Sequence, residues 1–337
     1  MQYFLGKSGK FFKANLHSHS TVSDGELSPE EVKKVYKSNS YQIVAYTDHE
    51  VLVPHKELND DDFLAITAVE IDCTEPGVKF PRAKTHHLNL LSKDPDKTTF
   101  GCFNLSHVWQ PHSLAYVSEE QKKINFPFSY STEVLNKAIK LANDEGFLVT
   151  YNHPYWSLQN LDGYSGFEWL WGMEVYNSIS DFFGTPEDDR PFDDMLKLGK
   201  KLFPVCADDS HKREHCCRAF TMVECQKLDY GEVMTALEKG DCYSSFGPTI
   251  SEFSFDKGKF FVKCSNAQRI ELLTDQRYGL RGLKGKKPIN EAIFNMENFI
   301  RQNKDDEKTA YVRLVVTDEN GKKAYSRPVY LDELENF

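Results

Sequence analysis

Imidazoles and carboxylates recur in short clusters along the first two thirds of the chain: His17 and His19, Asp24, Asp48 and His49, Glu70, His87, His153, then Asp209 and His211. Nitrogen and oxygen donors in this mixture suit transition-metal ions, whereas Mg and Ca prefer shells made wholly of oxygen. The set points to divalent Zn, Mn or Fe. A carboxylate within it can bridge two ions and hold them ~3.5–4 Å apart, the arrangement of hydrolytic multi-metal sites. On an extended strand residues i and i+2 share a face, so His17 with His19, and Asp209 with His211, can each reach one ion.

Taken one at a time these residues have plainer readings. A histidine at a strand end is more often simply hydrogen-bonded, and Ser23-Asp24-Gly25 alone is more often a turn. Six of the eleven histidines, however, stand in or just after apolar runs in company with carboxylates. In a parallel βα barrel the C-terminal strand ends converge on one face, which would unite residues almost two hundred positions apart.

The elements needed for that convergence are visible as alternation. FFKANLH, QIVAYTDH, FLAITAVEID, THHLNLLS, GFLVTYNHP, GMEVYN, KLFPVCADDSH and RAFTMVEC read as strands, separated by helix-like stretches. The clearest helix starts at Ser28-Pro29-Glu30-Glu31, a capping box with proline in the first turn, and should end near Ser38. Others are expected over about 132–145, 189–200 and 229–239. Residues 92–130 break the rhythm with no usable period, which marks a lid, a binding loop or a short excursion of structure. After Phe246-Gly247-Pro248 the pattern changes to alternating strands, with a hairpin turning at Glu319-Asn320-Gly321. The expected architecture is α/β: a barrel over 1–248 and a small all-β, sandwich-like domain over 249–337.

Bulk properties narrow the classes of function. A formal charge of −10 argues against long duplex nucleic acid as the main partner, since phosphate backbones are met by basic patches. No stretch approaches the ~18–20 apolar residues of a membrane span, and the first residues lack a signal core, so a soluble, cytoplasmic protein is expected. The eight cysteines are scattered without a CxxC, suggesting reduced thiols rather than disulfides or a zinc ribbon. No nucleophile elbow and no P-loop is present, which leaves covalent serine catalysis without a candidate.

HSHSTVSDG, TDH, AVEID, HHLNLL, NHPYW and DDSH, in this order and spacing, resemble the motifs of the PHP (polymerase and histidinol phosphatase) domain over about residues 11–250. ALEKGDCYSSFGP followed by a β region is similar to its CehA/McbA-type branch. The resemblance implies a distorted (β/α)7 barrel of TIM-like form and a metal-dependent phosphoesterase with two or three divalent ions. It assigns His17, His19, Glu70 and Asp209 to a first metal, Glu70, His87 and His153 to a second, and Asp24, His49 and His211 to a third, with Glu70 bridging. His87 is preferred to His86 because the family's ligand directly precedes the apolar run. The departure from the pattern is a short interval between NHP and DDSH, where the family often carries a helical insertion.

Other candidates are less specific. Asp48 would orient His49 or a water on the metals, or cap the next segment. Lys212, Arg213 and Arg218 follow the last ligand and either hold a phosphate or form a solvated loop. Glu174 and Asn177 face the pocket or make structural hydrogen bonds, and Tyr155 and Trp156 are pocket wall or core. Gly279-Leu-Arg-Gly282-Leu-Lys-Gly285 is weak as a phosphate loop because no helix follows it.

The expected reaction is attack on phosphorus by hydroxide activated at the metals, on a small phosphorylated substrate or nucleotide. Two rivals remain: a metal-dependent hydrolase of carbon esters, carbamates or amides, and a non-catalytic metal-holding interaction module.

Overall fold

The computed structural model describes residues 1–7, 10–186, 188–277, 279–281, 288–306 and 309–335. The chain opens with β1 (Gln2–Leu5), β2 (Phe11–Asn15), α1 (Pro29–Ser38), β3 (Ile43–Tyr46), β4 (Leu64–Thr74) and β5 (Thr85–Ser92). It continues through α2 (Thr132–Asp144), β6 (Phe147–Tyr151), α3 (Leu161–Tyr164), β7 (Gly172–Asn177), α4 (Ser178–Phe182), α5 (Arg190–Lys197), β8 (Phe203–Ala207), β9 (Phe220–Glu224) and α6 (Tyr230–Lys239). The remainder is β10 (Cys242–Ser245), β11 (Ile250–Asp256), β12 (Lys259–Ala267), β13 (Arg269–Thr274), β14 (Gly279–Arg281) and β15 (Ile289–Asn295). It ends with α7 (Glu297–Gln302), β16 (Tyr311–Thr317), β17 (Lys323–Ser326) and β18 (Val329–Tyr330).

The helices form where the sequence chemistry places them. In α1 the Ser28 side chain accepts from the Glu31 N–H, and Glu31 accepts from the Ser28 N–H at 2.9 Å, closing the capping box. Leu135, Ala138, Ile139 and Ala142 give α2 one buried face, and Val233, Ala236 and Leu237 do the same for α6.

The main sheet is mixed α/β. β2, β3 and β4 run parallel, as do β6, β7 and β8, but β5 lies antiparallel to both β4 and β6, and β9 antiparallel to β2. This corrects the expectation of a wholly parallel barrel. The connection from β4 to β5 holds no helix, and without a crossover two neighbouring strands can pair only in opposite directions. The reversal moves the start of β5 to the edge where the other strands end, which carries His87 to that edge.

β2 and β8 do not pair along their length, so the barrel is not closed by a full ladder. Its ends meet only beyond those strands, at a parallel bridge between Ser18 and Ser210. There the Asp209 N–H donates to the His17 carbonyl and the His19 N–H to the Ser210 carbonyl, both at 2.9 Å. The point of closure is also the place where the densest candidate ligands sit.

On the other side the sheet continues through β9, β10, β17, β16, β13 and β14, all antiparallel. A second, four-stranded sheet has the order β1-β11-β12-β15. Phe253, Phe260 and Val262 of this sheet share one buried cluster with Leu272, Leu314 and Val316 of the main sheet. The sandwich is therefore partial: one of its layers is an extension of the main sheet, and the other recruits β1 from the chain's start, a strand not expected from the sequence. Buried Arg313 ties β16 to α5 through Asp189 and Asp193 at 3.0 and 2.8 Å. The hairpin between β16 and β17 turns at the expected place, with Gly321 at φ +80°.

Candidate metal centre

The strand-end residues converge. His17 and His19 follow β2, His49 follows β3, Glu70 lies in β4, His87 in β5, His153 follows β6, and Asp209 and His211 follow β8. Three groups of donor atoms result: His17, His19, Glu70 and Asp209; His19, Asp24, His49 and His211; and His49, Glu70 and His87.

The first group is the tightest. His17 Nε2 lies 3.2 Å from Glu70 Oε2 and 3.3 Å from Asp209 Oδ1; His19 Nε2 lies 3.2 and 3.1 Å from the same oxygens and 3.2 Å from His17 Nε2. Four donors set tetrahedrally ~2.0–2.1 Å from one ion are ~3.3–3.4 Å apart. The observed edges match that figure without rearrangement. Asp209 Oδ1, buried and without a hydrogen-bond partner, aims its free lone pairs into the same space.

Orientation comes from a surrounding set of polar contacts. Glu174 Oε1 accepts from His17 Nδ1 at 2.8 Å, which turns His17 Nε2 toward the centre. Its other oxygen accepts from the His153 N–H and from Asn177 Nδ2, both at 2.9 Å. Asn177 Nδ2 also reaches Asp209 Oδ2 at 3.2 Å, and Asn152 Nδ2 donates to Glu70 Oε1 at 2.7 Å. Glu174 and Asn177 thus hold these donor groups in place and do not line the cavity.

The group of His49, Glu70 and His87 straddles the two Glu70 oxygens, and His153, outside that group, stands beside Oε1. His87 Nδ1 lies 3.1 Å and His153 Nε2 3.4 Å from Glu70 Oε1, while His49 Nδ1 stands 3.4 Å from Oε2. His49 is therefore shared between groups. His86 points away and meets the Tyr151 hydroxyl at 2.9 Å, as expected when neighbouring strand residues face opposite sides.

The group of His19, Asp24, His49 and His211 is looser. Asp24 Oδ2 lies 3.2 Å from His211 Nε2 but 4.0 Å from His49 Nε2, and Asp24 Oδ1 lies 3.5 Å from His19 Nδ1. Such gaps remain within the ~4.2 Å that two donors of one ion can span. Asp24 rides on a turn that Asp48 pins: Oδ1 accepts from the Ser20 and Ser23 N–H groups and the Ser23 hydroxyl, and Oδ2 from the Ser20 hydroxyl. Asp48 is thereby placed beneath the turn, with its oxygens occupied, and not in the pocket. A Cβ at Gly25 would stand 2.6 Å from the His19 carbonyl, so only glycine lets the chain leave Asp24 in this direction.

Electrostatics agree with a cation-seeking site. Burial alone would push the imidazoles down, but Asp209, Glu70 and Glu174 hold His17 well above its usual value, and Asp209, Glu70 and Asp24 raise His19 to about 10. Burial would raise Glu70 and Asp209, yet the facing imidazoles keep both well below the carboxylate range. Protons on these imidazoles offset the carboxylates in the metal-free fold. Burial lowers His49 to about 4, so its ring is neutral at neutral pH and one of its two nitrogens offers a lone pair. His153 and Asp209, and Glu50 beside His49, are three of the eight non-glycine residues with positive φ among the described residues.

The groups open into a cavity of about 490 Å³ whose wall includes Phe80, Trp109, Trp156, Phe183 and Lys212. The 92–130 excursion is a series of 3₁₀ turns that reaches this wall: His112 Nε2 donates to the Ser23 carbonyl at 2.7 Å, and Trp109 stands 5.6 Å from His49, ring centre to ring centre. Lys212 lines the cavity and pairs with Glu26 at 2.9 Å, whereas Arg213 is exposed outside its lining. Arg218 is exposed and donates to the Glu214 carbonyl. Tyr155 is exposed beside the wall without lining it. The glycine-rich stretch Gly282–Gly285 lies outside the described residues. Phe80, Trp109 and Phe183 were not singled out as wall residues by the sequence, because loop aromatics carry no periodic signal.

No family model matches the chain, and no curated protein matches it. Solved structures do. A two-domain protein containing a predicted PHP-like metal-dependent phosphoesterase from Bacteroides vulgatus aligns over 95% of both chains at 14% identity with a TM-score of 0.42. A putative metal-dependent phosphoesterase from Bifidobacterium adolescentis aligns over 59% of this chain and 87% of its own at 16% identity, TM-score 0.38. A lesion-specific endonuclease from Pyrococcus furiosus aligns over 68% of this chain and 56% of its own at 18% identity, TM-score 0.39. Among the described residues no helix is long and apolar enough to cross a membrane.

Proposed function

We propose that the chain is a metal-dependent phosphoesterase acting on a small phosphate ester or a nucleotide-sized phosphodiester, with His17, His19, Glu70 and Asp209 as the principal ligands of a site for two or three divalent ions. The observation that carries this reading is the set of five donor separations of 3.1–3.3 Å around one point, together with the unpartnered Asp209 Oδ1. His87 and His153 on Glu70 Oε1 supply a second position, and Asp24 with His211 a third.

When bound, the ions would make water acidic enough to be a nucleophile near neutral pH and offset charge on the phosphoryl oxygens. The chain's own residues do the rest. Glu174 fixes the His17 ring and the His153 backbone. Lys212 can leave exposed Glu26 to meet a phosphate oxygen at the cavity mouth. The principal donor residues are themselves buried, which keeps bulk water off most of their surface and strengthens each charge interaction there.

The test is a rate panel of p-nitrophenyl phosphate, bis(p-nitrophenyl) phosphate and p-nitrophenyl acetate with Mn- or Zn-loaded protein. Turnover of a phosphate ester that disappears in His17→Ala and Asp209→Ala is the expected result. Turnover of the acetate alone would transfer the site to carbonyl chemistry, and no turnover at all would leave a non-catalytic metal-holding module.

A further inference from the structure

Four separate segments each send one aromatic ring to the cavity mouth: Phe80 from the β4–β5 connection, Trp109 from the 92–130 excursion, Trp156 from beyond β6 and Phe183 from the end of α4. Three of these rings are costly to leave in water, with Phe80 83%, Phe183 62% and Trp109 52% exposed. Phe80 stacks on no other ring among the described residues. Trp109 stands 5.6 Å from His49 and Trp156 5.0 Å from His153, nearly perpendicular to it, so both rings border the end of the cavity where the donor groups lie.

We infer that this aromatic rim is a subsite for a planar aromatic group carried by the ester, an aryl ring or nucleobase rather than a saturated alkyl chain or sugar. Rings offered from loops and left exposed, as Phe80, Phe183 and Trp109 are, gain most from a flat partner that they can sandwich or meet edge-on. The charge balance at the mouth agrees. Lys212 is the cation in the lining, and it already faces Glu26, while Asp72 stands on the same wall. A long polyanion would find little to hold it, whereas one phosphoryl group at the ions with one ring at the rim uses what is present. About 490 Å³ accommodates a ligand of that size.

The inference rests on the phosphoesterase reading for the position of the phosphoryl group, and the test separates the two. Non-hydrolysable phenyl-, cyclohexyl- and methylphosphonate are titrated into Mn-loaded protein by calorimetry, independently of turnover. Phenylphosphonate should bind at least ~10-fold more tightly than methylphosphonate and ~3-fold more tightly than cyclohexylphosphonate, since stacking adds to simple area burial. Trp109→Ala and Phe183→Ala should collapse the phenyl-to-methyl ratio toward one, and Trp109→Phe should keep most of it. Trp169→Ala, which removes a comparably exposed tryptophan outside the cavity lining, should leave the ratio unchanged. Equal affinities for phenyl- and methylphosphonate, or equal phenyl and cyclohexyl affinities, would overturn the aromatic subsite while leaving phosphate-ester turnover to stand. Absent turnover with the ring selectivity intact would overturn the reaction and keep the subsite.

Discussion

The inner and outer donor groups share His19 but are built on different principles. The inner group is wholly buried, its separations span only 3.1–3.3 Å, and Glu174 locks one of its rings from behind. The outer group hangs Asp24 on a surface turn, its separations spread from 3.2 to 4.0 Å, and it is braced by Asp48 below and His112 above. A rigid donor set already at ligand spacing binds an ion with little rearrangement, whereas a loose one must close around it. The inner position is expected to hold a resident ion and the outer one an exchangeable ion.

The largest effect that would sharpen this contrast is at the inner group. Asp209→Ala removes a donor whose Oδ1 has no other partner, and should lower activity by at least ~10³-fold, several kcal/mol of charge stabilisation. Initial rates with saturating Mn measure it; a loss below tenfold would break the distinction. Asp24→Ala should cost less, ~10²-fold, and elemental analysis should find the inner ion still bound. Loss of all metal from that variant would mean that the groups form one cooperative unit.

A smaller effect tests the brace. Glu174→Gln keeps shape but removes the carboxylate behind His17, and competition with a chelating dye should show inner-site affinity down ~10–100-fold. The same change is expected to leave the outer site almost untouched.

A comparable effect is expected with pH, and its sign differs between the two states of the protein. His19 is raised from 6.5 to about 10 in the metal-free fold by Asp209, Glu70 and Asp24 acting against burial. Its contribution to metal-free stability is therefore full below pH ~6.5 and lost as pH rises toward 10. Metal binding runs the other way, since the ion must displace that proton, so affinity should strengthen from about pH 6 to about pH 8 with proton release. Calorimetry in buffers of different ionisation enthalpy reads the released protons directly. Uptake without proton release would contradict the carboxylate-facing geometry.

Much of this was legible in the residues because the signals are local. The capping box at Ser28, the glycine after Asp24 and the apolar runs that end in His17, His49 and His153 each follow from short-range chemistry. Strand direction was not legible from composition. β5 looks like any apolar strand, and only the helix-free connection before it discloses that it must turn back. The pairing of β1 with β11 joins segments about 250 positions apart, and no local pattern encodes it. Asp48 shows the same limit in the site: its position beside His49 suggests a role in the pocket, while its hydrogen bonds place it under the Asp24 turn.

The central claim is that His17, His19, Glu70 and Asp209 hold a divalent ion. Elemental analysis of the protein after long dialysis against a moderate chelator, compared with Asp209→Ala treated alike, tests it most directly. About one equivalent of transition metal retained by the unmodified protein and lost from the variant is the predicted result. Metal absent from both, or retained equally by both, would contradict it.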